Sequence, residues 1–186
     1  WNVAAYESYA DEAAFDAYVD KVKADVMGGN LKRFERSYID GLAGQALLNA
    51  WREYYIKMTD AFAELDPKHR VKWIGPDMSV RSSITARLME TWAHGLAIYD
   101  ALGVVRQDAD RIKNIVVLGI NTFNWSFQVK GQTPPGQLPF IELAAPSGEI
   151  WQFGEPNDVS AVSGTASDFC QVVTQTRNIS DTNLKL

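Results

Sequence analysis

At Gly131 the character of the chain changes, and no other feature narrows the choice of fold so far. Before it, apolar residues recur at three- and four-residue intervals; after it, short apolar runs stand between prolines and glycines. The first pattern makes amphipathic helices and the second makes strands and tight turns. The expected fold class is therefore α+β, a helical bundle over residues 1–130 followed by a small α+β domain over 131–186.

Within the first part, Tyr6, Tyr9, Ala13, Val19, Val22 and Val26 space one helix over about Val3–Val26, stopped by Gly28-Gly29. A polar stretch follows, then a second helix over Gln45–Leu65 whose stripe is Leu47, Leu48, Trp51, Tyr55, Met58, Phe62 and Leu65. The Asp66–Pro76 segment reads as a loop, and Ser79 as the N-cap of a third helix through Tyr99, with Ile84, Leu88, Thr91 and Ile98 near one face and Gly103 ending it. Asp108 is expected to cap a fourth helix that carries Ile112, Ile115, Val116, Phe123 and Phe127. No strand is expected before residue 100. Beyond Gly131, Phe140–Ala144 and Glu149–Phe153 read as a hairpin around Pro146-Ser147-Gly148, and Val159–Val162 as a third strand. Gly164-Thr165 then opens a short helix to about Thr174, and the tail after Arg177 is polar and says little.

Several function classes drop out on composition. Net charge is −5 and the 18 Lys and Arg are scattered, so nucleic acid is not an expected partner. No apolar run approaches the roughly 18 residues that cross a bilayer, so no membrane association is expected. The single cysteine, Cys170, excludes an intrachain disulfide and fits a reducing cytoplasm. The chain begins at Trp1 rather than Met, without a signal-peptide pattern. There is no phosphate-binding glycine loop, no paired-cysteine zinc motif and no Gly-x-Ser-x-Gly context for a catalytic serine.

What remains is Arg87-Leu88-Met89-Glu90-Thr91-Trp92-Ala93-His94-Gly95. Glu90 and His94 stand four apart on a helix, so both project from one face, where a carboxylate and an imidazole can hold one divalent ion. Two ligands are not a complete site, since zinc takes at least three from a protein, and by spacing alone an ordinary surface pair is the commoner reading. His69 lies in a charged, Pro-containing loop and reads as solvated. Trp73 opens the lead-in to the third helix and reads as a turn residue capping the core, with the wall of a pocket near the ligand helix as its alternative. Cys170, on an apolar face, reads as a buried and inert thiol.

Trp73-Ile74-Gly75-Pro76-Asp77-Met78-Ser79, the Arg87–Gly95 run, the run from Val162 to Gln175 and the ending Arg177-Asn178-Ile179-Ser180-Asp181-Thr182 together resemble the mycothiol-dependent maleylpyruvate isomerase group of the DinB-like superfamily, in an actinobacterial branch. The resemblance implies a four-helix bundle in which a His of the second helix and a Glu-x-x-x-His pair of the fourth bind a divalent metal, with zinc expected. It implies that a small α+β domain closes over that site. Glu90 and His94 match the pair. The remaining His is expected upstream of Trp1, on the helix that Trp1 continues, with the first bundle helix further upstream. The pair is then expected to face the Trp1 end of the first helix. Mycothiol is the implied thiol cofactor, held near the metal as a thiolate; a small molecule is the implied substrate, and isomerisation or thiol transfer the implied reaction. Arg177 stands where an arginine for a substrate carboxylate would be useful, with a plain surface arginine as its alternative. A homodimer fits this reading. The competing readings are a non-catalytic ligand-binding or dimerisation module that keeps the bundle without the metal, and a role in tRNA modification suggested by the tail, which the negative charge disfavours.

Overall fold

The computed structural model describes residues 2–29, 31–73, 76–157 and 160–186. Packing divides the chain into two compact units, Trp1–Arg87 and Leu88–Leu186. The expected division at residue 130 concerns sequence character and stays a proposed domain boundary, whereas the break at 87/88 marks which residues share a core.

The first unit holds helices α1 (Asn2–Ala10), α2 (Glu12–Met27), α3 (Leu31–Ile39) and α4 (Gly44–Ala63), and the start of α5 (Val80–Leu102). The single helix expected over Val3–Val26 is two, because Asp11 interrupts it. The Asp11 carboxylate accepts hydrogen bonds from the backbone N–H groups of Ala13 (2.9 Å) and Ala14 (3.3 Å), which makes it the N-cap of α2. Helix α3 replaces the expected polar stretch. Its Phe34 is buried against Tyr18, with edge-to-face rings 5.8 Å apart, and Phe15 and Val19 of α2 form a neighbouring core. In this polar-aromatic interior burial raises the Glu7 carboxyl, and burial with the Glu7 charge raises the Tyr18 phenol.

Met58 and Phe62 of α4 pack with Val71 and Val80, as the stripe predicts. The first half of that stripe does not: Leu47, Leu48 and Trp51 are exposed. Between α4 and α5 the chain doubles back as a two-residue ladder, β1 (Arg70–Val71) against β2 (Met78–Ser79), so the expectation of no strand before residue 100 is corrected. The cause is local. Asp66 turns the chain by accepting from the Lys68 N–H (2.7 Å), the Arg70 guanidinium grips the Asp77 carbonyl across the loop, and Val71 is drawn under the core. Ser79 caps α5 as expected, its Oγ accepting from the Ser82 N–H at 3.1 Å.

In the second unit the rest of α5 is followed by a 3-10 turn (Asp110–Ile112), α6 (Lys113–Asn121), α7 (Phe123–Gln128), strands β3 (Phe140–Ala144), β4 (Ile150–Phe153) and β5 (Ala161–Thr165), and α8 (Ala166–Val173). The expected fourth helix is thus three short pieces. The hairpin stands where expected, with β3 central: β4 pairs with it antiparallel and β5 parallel. Alternation along β3 buries Ile141 and Leu143, and Leu143 stands opposite buried Trp151. Ile112, Ile115 and Val116 close this core with Phe169 and Cys170 of α8, each large apolar side chain contributing about 1.5–3 kcal/mol. Of the expected third strand, Val159 lies outside the described residues and β5 begins at Ala161. Thr165 caps α8, its Oγ1 accepting from the Asp168 N–H at 3.0 Å.

The tail is more informative than its composition. Lys185 exchanges backbone hydrogen bonds with Ser163 (2.9 and 2.8 Å), bringing Leu184 over Gly164. Gly164 has φ +151, and a Cβ there would stand 2.8 Å from Leu184 Cδ2. Gly164→Ala should therefore destabilise the protein by about 1–3 kcal/mol, read as a lowered urea midpoint with unchanged slope; an unchanged midpoint would show that the tail does not hold this conformation.

Candidate functional site

Helix α5 positions every candidate. At about 100° per residue, Val80, Ser83, Arg87, Glu90 and His94 fall within about 40° of one line along it. The first three are buried in the first unit, and the Arg87 guanidinium lies 4.4 Å from the Trp73 ring centroid. Trp73 is half-buried there, as a capping aromatic should be; Ile74 and Gly75 lie outside the described residues. In the second unit the buried α5 residues are Trp92, Ala93 and Leu96, roughly half a turn round from His94. Of the expected apolar face, Leu88 packs against this core, whereas Ile84, Thr91 and Ile98 are exposed and Trp92 and Ala93 take the buried positions.

Glu90 and His94 stand together. The Oε2–Nε2 separation is 3.1 Å, and the side chains are 41% and 84% exposed. Two donors each about 2.1 Å from one zinc ion, at ligand angles of roughly 95–110°, would be about 3.1–3.4 Å apart, so this spacing fits a shared divalent ion. It fits a helix-surface hydrogen bond equally. Among the described residues no third His, Cys, Asp or Glu joins them. His69 is exposed in the turn before β1, its backbone N–H bonded to the Asp66 carbonyl at 2.8 Å. Trp1, the reference point for the upstream ligand, lies outside the described residues.

Arg177 is elsewhere. One of its terminal nitrogens reaches both Asp100 oxygens at 2.7 Å, and the other donates to the Thr176 carbonyl at 2.9 Å. Both Asp100 and Arg177 line a cleft of about 670 Å³ within the second unit, floored by a network that sequence reasoning missed. There Asp108, expected as a helix cap, is a hub. Its Oδ1 accepts from the Trp92 indole N–H (2.8 Å) and Arg106 Nε (3.0 Å), and its Oδ2 from the Ser167 hydroxyl (2.7 Å). Arg106 also donates to the Trp92 carbonyl at 2.7 Å, and its guanidinium carbon lies 3.8 Å from the centroid of the Trp92 ring. The Arg106 and Asp108 side chains are only 10% and 11% exposed. The one hint in the sequence is Arg106-Gln107-Asp108 following apolar Val104-Val105; the partners, 14 to 59 residues away, leave no spacing signature.

Asp108→Ala should leave the Arg106 cation buried without its counter-charge and cost about 3–5 kcal/mol in urea unfolding; a loss under about 1 kcal/mol would mean that the network is not closed in solution.

Cys170 is fully buried, its sulfur 3.7 Å from the Ile112 carbonyl oxygen. Burial, and next the Asp108 charge, push its thiol from the ordinary 9.0 up to about 12. It is therefore no nucleophile at neutral pH. Because the folded state keeps a proton that the unfolded chain releases, this group's contribution to stability is complete below about pH 9 and is lost between about 9 and 12. At pH 8 an aromatic disulfide reagent should titrate no thiol in the native protein and one in urea; prompt native reaction would contradict this burial.

Helices α1–α5, the last of which carries the acid–imidazole pair, followed by a small α+β part, are consistent with a DinB-like architecture. Residues 3–99 match the family model described as the mycothiol maleylpyruvate isomerase N-terminal domain, and the chain belongs to that family. Two uncharacterised proteins of Mycobacterium tuberculosis, from strains CDC 1551 / Oshkosh and ATCC 25618 / H37Rv, are each 42% identical to it over 134 residues, 72% of this chain and 52% of each relative. The chain thus spans about half the length of the curated relatives it matches. No solved structure matches it. Among the described residues no helix is long and apolar enough to cross a membrane.

Proposed function

We propose that this chain forms part of a cytoplasmic enzyme that uses a divalent metal, zinc in the first instance, and mycothiol to isomerise a small molecule or transfer a thiol to it. The observation that carries the reading is the Glu90–His94 pair, two donors at a metal-compatible 3.1 Å on one helical stripe, in a chain of a mycothiol-related family. Glu90 would bring a negative charge and His94 a neutral imidazole; an upstream His would supply the third protein ligand. A metal so held lowers the pKa of a thiol and keeps it in its nucleophilic form. The chain's own thiol cannot take that role, because Cys170 is buried and protonated. The exposed Leu47, Leu48 and Trp51 favour a further bundle helix, since such a stripe is ordinarily covered. The proposed domain division remains 1–130 and 131–186.

One observation favours a second reading. Among the described residues the pair has no third ligand, which fits a non-catalytic ligand-binding module of the same fold. Metal content separates the two. In a form of the chain extended upstream of Trp1 to a His, Glu90→Ala and His94→Ala should each abolish metal retention and thiol-dependent turnover. The metal-free melting temperature should move by no more than about 1–2 °C, because both side chains are exposed and outside the core. Retention of full metal content and full turnover by both variants would leave Glu90 and His94 an ordinary surface pair.

A further inference from the structure

We propose that the cleft beside the C-terminal turns of α5 is a second ligand site, which takes a small zwitterion with an ammonium and a carboxylate on one apolar body between Asp100 and Arg177. The cleft, about 670 Å³, is of ligand size. The α5 residues that line it, Leu96, Tyr99 and Asp100, lie roughly half a turn round the helix from Glu90 and His94. The site therefore stands whether or not that pair holds a metal.

Its floor is built and charged. Arg106 and Asp108 are nine-tenths buried at the base, and every oxygen of Asp108 is engaged. Arg106 commits Nε and Nη1 to protein acceptors, while its Nη2 has no acceptor among the described residues. A closed ion pair lining a concave surface is a weak stability device, because desolvation offsets much of its attraction.

Charge balance selects the ligand. The cleft carries two arginines and two aspartates, paired as Arg106–Asp108 at 3.0 Å and Arg177–Asp100 at 2.7 Å. The second pair is the exposed one, and an exposed pair opens at little cost. A simple anion that took Arg177 would strand Asp100, and a simple cation that took Asp100 would strand Arg177. A zwitterion replaces one ion pair by two and leaves the net charge unchanged: carboxylate to Arg177, ammonium to Asp100. Tyr99, Val104 and Val105, all exposed along the cleft wall, and Pro146 offer apolar surface to the body of the ligand.

The test titrates the full chain with L-leucine, N-acetyl-L-leucine and L-leucinamide, followed by amide chemical shifts. L-leucine should bind at least tenfold more tightly than either blocked form, with shifts concentrated in residues 99–108 and 167–177. Arg177→Gln and Asp100→Asn should each weaken L-leucine binding at least tenfold with an unchanged far-UV circular dichroism spectrum. The proposal is overturned if none of the three binds, if a blocked form binds as tightly as L-leucine, if the shifts map elsewhere, or if both folded variants bind undiminished. The shift map needs no variant, so the test remains decisive if a substitution unfolds the chain.

Discussion

Helix α5 runs through both compact units, and its 100° step per residue assigns its side chains to distinct tasks. Val80, Ser83 and Arg87 are buried in the first unit, and Trp92, Ala93 and Leu96 in the second. Within the second unit, Glu90 and His94 stand where the helix surface is exposed. A polar pair can occupy that position without the desolvation penalty of the core, and its donors remain reachable by an ion. A one-residue insertion between Glu90 and Trp92 would turn Glu90 by about 100° against the core residues that follow it, so the helix constrains core and candidate ligands together.

The second unit depends equally on Asp108. One carboxylate joins α5 through Trp92, the loop through Arg106 and the start of α8 through Ser167. Each bond is charge-assisted, and the low-dielectric setting strengthens all of them while making any single loss expensive. The same charge helps to keep the nearby Cys170 thiol protonated. The network thus organises the cleft and silences the one thiol at once.

Much of the fold was legible because period and punctuation are local. The Phe140–Phe153 hairpin, the Ser79 cap and the α8 start at Thr165 each rest on a few adjacent residues, and the structure has them. What escaped was set by distant partners or by a single residue overriding a periodic stripe. Asp11 breaks a helix that Tyr6–Val26 periodicity continues, because a side-chain cap competes with the helical backbone. Asp108 precedes an apolar stretch, as a helix cap does, whereas two of its three partners, Trp92 and Ser167, have no fixed offset from it. Helix α3 was hidden by its many charged residues, although Phe34 anchors it. Of the candidate site, the Glu90–His94 pairing was readable from i, i+4 spacing, whereas the Arg177–Asp100 pair spans 77 residues and was not.

Membership of a mycothiol-related family and an acid–imidazole pair of the right span meet at one place on α5. The most direct measurement is X-ray absorption at the zinc edge on a form of the chain extended upstream of Trp1, purified without chelator, before and after mycothiol is added. The account predicts one zinc per chain in a shell of nitrogen and oxygen only, since Cys170 is sealed in the core, with one sulfur entering the shell when mycothiol is present. A protein that binds no metal, or a shell that already contains sulfur before the thiol is added, would contradict it.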